Sequence, residues 1–470
     1  MTLSSVRLAA LLVFFGGGAA GLAQAPAAEL PSTLTLPQAL RYALEHYPSI
    51  SAATDQAAAS QAEVAVARSA FLPRLDSLWQ ANRATVNNTF GQVLPQSVLP
   101  AMSGPVLSSA SDTNVWGTAA GALFSWEAID LGLRGAVVRE AEAGAVQARA
   151  NEAVAKLAAQ QAAGLAFLSL VNAQQAVAAA DADVARRDVL LRAVRTLVDN
   201  QLRPGAEATR MEAELAAART RALQARQAVA VGEATLARHL GVAEAPVAIS
   251  GGSLLVAANI PPQTPAAGEH PFLLASQAAV DLARAREGVL ARTDRPRVLL
   301  QSSVFARGSG ANIDGSADGG VNGLGFERAN WAAGVQVVFP NLFGFAGLQA
   351  RRSAAAALTR AERARDDETR LGVVSQQRTS KATVETATAI AANTPVQLAA
   401  AQQSEAQARA RYEAGLTSII EVAEAQTLLA AAEFQHAAAR LDVWRALLLQ
   451  AVAAGDIAPF LEALRAAGVS

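Results

Sequence analysis

The sequence predicts a mainly α-helical chain with a β part, built as two internal repeats, each a helix, a β-hairpin and a long helical hairpin. Three observations lead to that architecture. Landmarks recur at fixed spacing in the two halves: Pro48 to Pro73 and Pro271 to Pro296 are each 25 positions apart, and Trp116 to Phe124 and Trp331 to Phe339 are each 8 apart. Self-similarity of this kind decides architecture before any single motif does. Two stretches alternate with period two between aromatic ends, as strands do. Long Ala-rich stretches carry a period of seven, as coiled helices do.

Composition narrows the class. One basic residue, Arg7, then the apolar run Leu8 to Phe15 and the small-residue ending Ala23-Gln24-Ala25 predict a secretory signal peptide over residues 1–25. Cleavage after Ala23 is the alternative, because a cut after Ala25 leaves Pro26 at the following position. The mature chain is therefore exported. No cysteine is present, which excludes disulfides, thiol catalysis, thiolate metal sites and a lipid-modified N-terminal cysteine. Hydrophobic residues make up 52% of the chain but aromatics only 5%, so the excess is mostly alanine. No second stretch reaches the roughly 20 apolar residues of a membrane helix, which leaves any membrane contact to β-strands. The net charge of -1 carries no nucleic-acid signal.

The first repeat covers residues 26–240. Thr35-Leu36-Pro37-Gln38 has the form of a capping box with Pro in the first turn, and the helix it opens is punctuated at Pro48 and ends at Phe71-Leu72-Pro73-Arg74. Strands follow over about 75–86 and 115–126, joined by a long loop rich in Asn, Pro, Ser and Gly. On the second strand Trp116, Thr118, Ala120, Ala122, Phe124 and Trp126 share one face, and Gly117, Ala119, Gly121 and Ser125 the other. Ten residues at ~3.3 Å each, tilted by ~40°, span roughly the apolar band of an outer-membrane barrel. An ordinary half-buried strand alternates in the same way. A helical hairpin over about 132–240 completes the repeat, its first arm about 100 Å long, with a turn at Leu202-Arg203-Pro204-Gly205.

A Gly-, Pro- and Ala-rich connector, 241–269, precedes the second repeat, 270–452. Its strands are expected over about 297–307 and 330–339, its helical hairpin over about 346–452, and residues 453–470 read as a C-terminal tail. Trp331, Ala333, Val335, Val337 and Phe339 repeat the apolar face on the fourth strand. Four strands cannot close a barrel, and open edges are not tolerated in lipid, so several chains must contribute to one barrel. In the last helix Ile420, Thr427, Phe434, Leu441 and Leu448 recur every seven residues, interleaved with Ala423, Ala430, Ala437, Trp444 and Ala451. A soluble coiled-coil scaffold has the same seam.

The second turn lies in RYEAGLTSIIEVAEAQ, Arg411 to Gln426. Gly415 turns without a Cβ penalty, Thr417 or Ser418 can cap the following helix, and Glu421 and Glu424 lie one turn apart on the same face. Glu207 is the corresponding acid of the first repeat. A solvated helix face reads identically. Catalysis has no constellation to rest on: His46, His239, His270 and His436 are isolated and read as surface or capping residues. Asp314 and Asp318 are too sparse for a calcium loop and read as part of a flexible external loop. No metal or cofactor is expected.

Tyr412-x-x-Gly415 followed by Glu421 and Glu424, together with LTLPQALRYALEHYP and ARSAFLPRL near the N-terminus, resembles the TolC-like outer membrane efflux proteins, or outer membrane factors. The resemblance implies a homotrimer whose twelve-stranded β-barrel spans the outer membrane of a Gram-negative bacterium and continues as a periplasmic α-helical barrel. It implies a passive exit duct of a tripartite efflux or type I secretion system, docked by a periplasmic adaptor and an inner membrane transporter. Glu421, Glu424, Glu207, Tyr412, Thr417 and Arg203 then match the periplasmic gate or selectivity positions, and Gly415, Leu416, Pro204 and Gly205 the hairpin turns and adaptor docking. Trp116, Phe124, Trp126, Trp331 and Phe339 match a membrane aromatic belt against outer membrane lipid. Two positions depart from the pattern: Thr417 stands where TolC carries a basic residue, and Gln201 replaces the usual turn glycine of the first repeat. Arg203, aligned with Thr417, is the candidate replacement for the missing charge. The rival reading is a periplasmic coiled-coil adaptor or scaffold that never inserts, which predicts a lipoyl-like or small β-barrel domain and no aromatic-bounded strands.

Overall fold

A computed structural model describes residues 33–86, 97–99, 112–242, 247–256, 269–312, 314, 316–340 and 343–469. The expected signal peptide with its cleavage site, most of the loop between the first two strands and most of the connector lie outside the described residues.

Two helices open the fold, α1 (Leu36–His46) and α2 (Pro48–Ser69), split at Tyr47, whose extended backbone matches a residue preceding proline. At the start of α1 the Gln38 side chain accepts from the Thr35 backbone N–H at 2.9 Å. Strands β1 (Arg74–Thr85) and β2 (Asn114–Ile129) lead into the paired helices α3 (Leu133–Asp199) and α4 (Gly205–Leu240). The second repeat follows the same order: α6 (Pro271–Leu290), β3 (Arg297–Ser309), β4 (Arg328–Val338), α7 (Phe345–Glu413) and α8 (Ile419–Ala454). The long arms α3 and α7 have 67 and 69 residues, and the return arms α4 and α8 have 36 each, so the repeat is visible as geometry.

The four strands form one antiparallel sheet in the order β1-β2-β3-β4, with the two repeats joined through β2 and β3. Register puts Ala120 opposite Trp79 and Ala306, and Val304 opposite Ala122 and Trp331. One face therefore gathers Trp79, Val304, Trp331 and Val335, all more than half exposed. The opposite face carries Gln80, Asn82, Gln301, Ser303 and Gln336. A register shift between Glu127 and Ile129 restores Ile129 to the apolar face beside Val298. The helices repeat the sheet order beneath it, with α2 beside α3, α3 beside α6 and α6 beside α7.

The main core sits midway along the helices, where Phe167, Trp444 and Phe460 are fully buried. Gly164 permits this packing, because a Cβ there would stand 2.6 Å from a Leu448 methyl. Two segments of the core differ from the sequence expectation. The supposed C-terminal tail folds as α9 (Ala458–Ala466), whose Phe460 meets Trp444 edge-on at 6.3 Å. Inside the connector a short helix, α5 (Gly252–Val256), presents the Leu254 carbonyl to the Trp444 indole N–H at 3.0 Å. Burying an indole requires such an acceptor.

Three further expectations need correction. One helix, α3, is long and apolar enough by composition to cross a membrane; its apolar stretch around Phe167 to Val171 lies in the core cluster, so packing accounts for it. The heptad seam of α8 holds at Leu441, Trp444, Leu448 and Ala451, but towards the turn it slips by one. Ile419, Val422, Gln426 and Leu429 are buried there, while Ile420 and Thr427 are exposed. The helix packs on both α3 and α7, and the buried stripe follows both neighbours rather than a single seam. The Asp314 loop is folded back on itself: the Asp318 N–H donates to the Gly310 carbonyl at 2.7 Å and the Asn312 amide reaches Asp318 at 3.2 Å.

Candidate functional site

Both helical hairpins end in five-residue turns of the same backbone shape. Gly415 has φ of 75°, and its N–H donates to Tyr412 O while that of Leu416 donates to Arg411 O. Gln201 has φ of 58°, with the Gln201 and Leu202 N–H groups donating to Val198 O and Leu197 O. The turn is thus conserved in geometry without its glycine, at a local cost on the order of 1 kcal/mol for a side chain in left-handed backbone. Neither Thr417 nor Ser418 caps α8: Ser418 occupies the cap position without a side-chain bond, and Thr417 Oγ1 is buried without a partner. An acid in the first turn, Glu421 in α8 and Glu207 in α4, supplies the charge that complements the helix dipole instead.

Three of the candidate residues meet between the hairpins. The Tyr412 hydroxyl donates to Glu207 Oε2 at 3.0 Å, and the Arg203 guanidinium lies 4.8 Å from the Tyr412 ring centre. Arg203 also approaches Glu207 at 3.9 Å and the Tyr412 carbonyl at 3.5 Å. Tyr412 is almost fully buried among Leu190, Leu191, Val194, Met211 and Ile419. Burial, then the hydrogen bond to Glu207 and that carboxylate's charge, push its phenol up to about 12. Arg203 thus brings a charge from the first hairpin onto the second, with an aromatic face and a carboxylate holding it.

Glu421 and Glu424 do not join this group. Both are exposed on α8, where Glu421 faces Arg411 at 3.7 Å and Glu424 makes no ion pair among the described residues. At the turns Leu416 is 71% exposed and its counterpart Leu202 is 68% exposed. Pro204 holds the N-cap of α4, and Gly205 has open space around it. Leu202 was legible from the repeat, because it stands in the first turn where Leu416 stands in the second.

Above the turns lies a polar knot that sequence reasoning missed. Arg187, fully buried on α3, donates to Asp183 at 2.9 Å, to Glu214 on α4 at 3.0 Å and to Thr427 on α8 at 2.9 Å. Arg221 adds a second contact to Asp183 at 3.1 Å, and Arg186 binds both oxygens of Glu433 at 2.9 and 3.1 Å. The first hairpin is tied to the second at three levels.

In the sheet, Trp331 is 77% exposed and Phe339 55%, with Phe124 and Trp126 at 37% each. The Trp126 indole donates to the Phe71 carbonyl at 3.0 Å, and Trp116 is half-buried with the Arg83 guanidinium 5.6 Å from its ring. The histidines are mixed: His270 caps α6 by accepting from Phe272 N–H yet is buried, and His436 bonds Thr394 between α8 and α7 at 3.0 Å.

Residues 265–453 match the family model described as outer membrane efflux protein. Among solved structures, the Campylobacter jejuni CmeC outer membrane channel aligns over 97% of this chain and 93% of its own, with a TM-score of 0.71 at 15% identity. The Vibrio cholerae outer membrane protein VceC aligns over 90% of this chain and 96% of its own, with a TM-score of 0.69 at 17% identity. The open state of the Neisseria gonorrhoeae MtrE outer membrane channel aligns over 90% and 89%, with a TM-score of 0.67 at 18% identity. No curated relative matches the chain.

Proposed function

Taking as premises an outer membrane efflux protein domain over residues 265–453 and a fold shared with solved outer membrane channels, we propose that this protein is a trimeric outer membrane channel. It serves as the passive exit duct of a tripartite efflux or type I secretion system. The observation that carries the reading is the sheet. Its four strands are open at β1 and β4, apolar on one face and mainly polar on the other, where Leu78, Leu99 and Phe305 form one small apolar cluster, and they continue into helices about 100 Å long. Three copies supply twelve strands, which removes every edge. The long helices then cross the periplasm and bring the α3–α4 and α7–α8 turns to its inner end. The exposed Leu202 and Leu416 suit docking of a periplasmic adaptor, which in turn engages an inner membrane transporter supplying the energy.

The same placement gives Tyr412, Glu207 and Arg203 the role of a latch between the two hairpins of one chain. Glu421 and Glu424, exposed and repeated around a threefold axis, form a ring of carboxylates at the mouth that favours cations. A non-inserted adaptor would have a closed small domain between its helices; an open, amphipathic four-stranded sheet fits it poorly. Single-channel recording in planar bilayers is the test. The purified protein should conduct with cation preference and be blocked by multivalent cations, and Glu421→Ala with Glu424→Ala should abolish both effects while oligomer assembly is retained. Preference and block unchanged in the variant would reduce the two acids to a solvated helix face.

A further inference from the structure

Strand pairing fixes which side chains meet on the polar face of the sheet. Ala119 of β2 stands opposite Gln80 of β1 on one side and Arg307 of β3 on the other, and Arg307 in turn stands opposite Arg328 of β4. Residues directly opposite each other share a face, so one row across the polar face reads Gln80, Ala119, Arg307, Arg328. Strands β1 and β3 leave the helical layer and β2 and β4 return to it, which puts this row in the outer half of the sheet, away from the helices.

The chemistry of the row is one-sided. Two like charges directly opposite on neighbouring strands destabilise a sheet, and a guanidinium carries donors only. Arg328 is exposed, with no carboxylate at ion-pair distance among the described residues. Further along the row the Gln80 side-chain nitrogen is buried without a hydrogen-bond partner, a costly state for a donor. Ala119 sets only a methyl between Gln80 and Arg307. The Phe305 ring, on the same face of β3, lies 5.8 Å from the Arg307 guanidinium and orients it. The acids of this face sit towards the helices: Asp76 is already paired with Arg74 at 2.8 Å, and Glu127 lies opposite Leu299, roughly 26 Å from Arg307 along β3.

We propose that Arg307 and Arg328 form an anion-binding clamp on the lumen face near the outer end of the barrel, with Gln80 as a further donor. Its ligand is an oxyanion group, carboxylate or phosphate, carried by a solute in the duct. The inference rests on the trimeric channel reading and deepens it by adding a second selective station. Three copies place six guanidiniums around the lumen at this level, opposite in sign to the carboxylates of Glu421 and Glu424 at the inner end. The guanidinium fork matches the paired oxygens of such a group, and an oxyanion between Arg307 and Arg328 relieves their repulsion.

The test uses the full chain in planar bilayers, with inorganic triphosphate as the probe, added to one side of a channel and then to the other. Triphosphate should interrupt the current from one side only, because the clamp lies near one end. Arg307→Gln with Arg328→Gln should weaken this block by about tenfold or more, as the loss of a hydrogen bond to a charged group does. The same variant should move the reversal potential in a potassium chloride gradient towards that of potassium. Arg307→Lys with Arg328→Lys keeps the charge without the fork, so it should hold the reversal potential and still weaken the block. Arg328→Gln alone, at an exposed position, should shift both readouts part of the way and decides the matter where the double variant does not assemble. Native channels that triphosphate leaves open, or blocks equally from both sides, would overturn the clamp while leaving the channel standing, and so would block unchanged in the glutamine variants. Native protein that forms no channels would remove the channel reading itself.

Discussion

The phenol of Tyr412 on the second hairpin donates to the Glu207 carboxylate on the first at 3.0 Å, across 205 positions of sequence. Tyr412→Phe should keep the packing of the ring and lose this bond alone. A hydrogen bond to a charged group contributes roughly 1.5 to 3 kcal/mol, so the hairpins should separate more readily at their turns. The readout is a higher closed-state conductance in bilayers with the oligomer unchanged. An unaltered conductance would show that the latch does not restrain the turns.

The same bond fixes a direction of pH dependence. The phenol is raised from its ordinary 10.0 to about 12, so the folded turn holds this proton more tightly than the unfolded chain does. That stabilisation is complete below about pH 10 and is lost as pH rises towards 12. Stability measured as a function of pH should fall in this window more steeply for the native protein than for Tyr412→Phe. Identical profiles would remove Tyr412 as the titrating group.

Arg187 makes a different forecast. Its guanidinium is fully buried against Asp183, Glu214 and Thr427, so Arg187→Met leaves the almost fully buried Asp183 with only Arg221 beside it. Breaking a buried pair typically costs 3 to 5 kcal/mol, about that order here. Arg186→Met, at a partly exposed pair with Glu433, should cost much less. Thermal unfolding of the two variants separates them, and equal losses would contradict the burial argument.

The contrast between these residues shows what the sequence could and could not reveal. Period-two alternation, proline spacing and the seven-residue repeat each act over a few neighbours, and they made the strands, the long helices and the two turns legible. Tyr412, Glu207 and Arg203 were each legible as candidates through the turns, but their contact was not, because nothing local tells a tyrosine which carboxylate 205 positions away it will meet. Arg187 reads as one more arginine on an Ala-rich helix until three helices converge on it. The α9 segment, with Pro459 and Gly468 near its ends, looks like a tail because Phe460 is informative only beside Trp444. The slip in the α8 seam has the same origin, since one helix with two neighbours follows no single heptad.

The sheet offers a paired substitution. Val335 lies exposed on the apolar face and Gly334, its neighbour, on the polar one with open space around it. Val335→Arg places a charge against lipid at ~2 to 4 kcal/mol per chain, whereas Gly334→Arg points it towards the lumen. Membrane-inserted protein should drop for the first variant and hold for the second. Gly121 is unsuited to the comparison, because any side chain there would strike Leu99, Phe305 and the Val304 carbonyl at 2.4 to 2.8 Å. Equal effects of the two substitutions would mean that the faces are assigned wrongly.

The central claim is that this chain completes its sheet only with other copies of itself inside the outer membrane. Native mass measurement of the protein extracted by detergent from isolated outer membranes tests it most directly. A complex of three chains is the predicted result. A stable single copy, or recovery of the protein from the soluble periplasmic fraction, would contradict it.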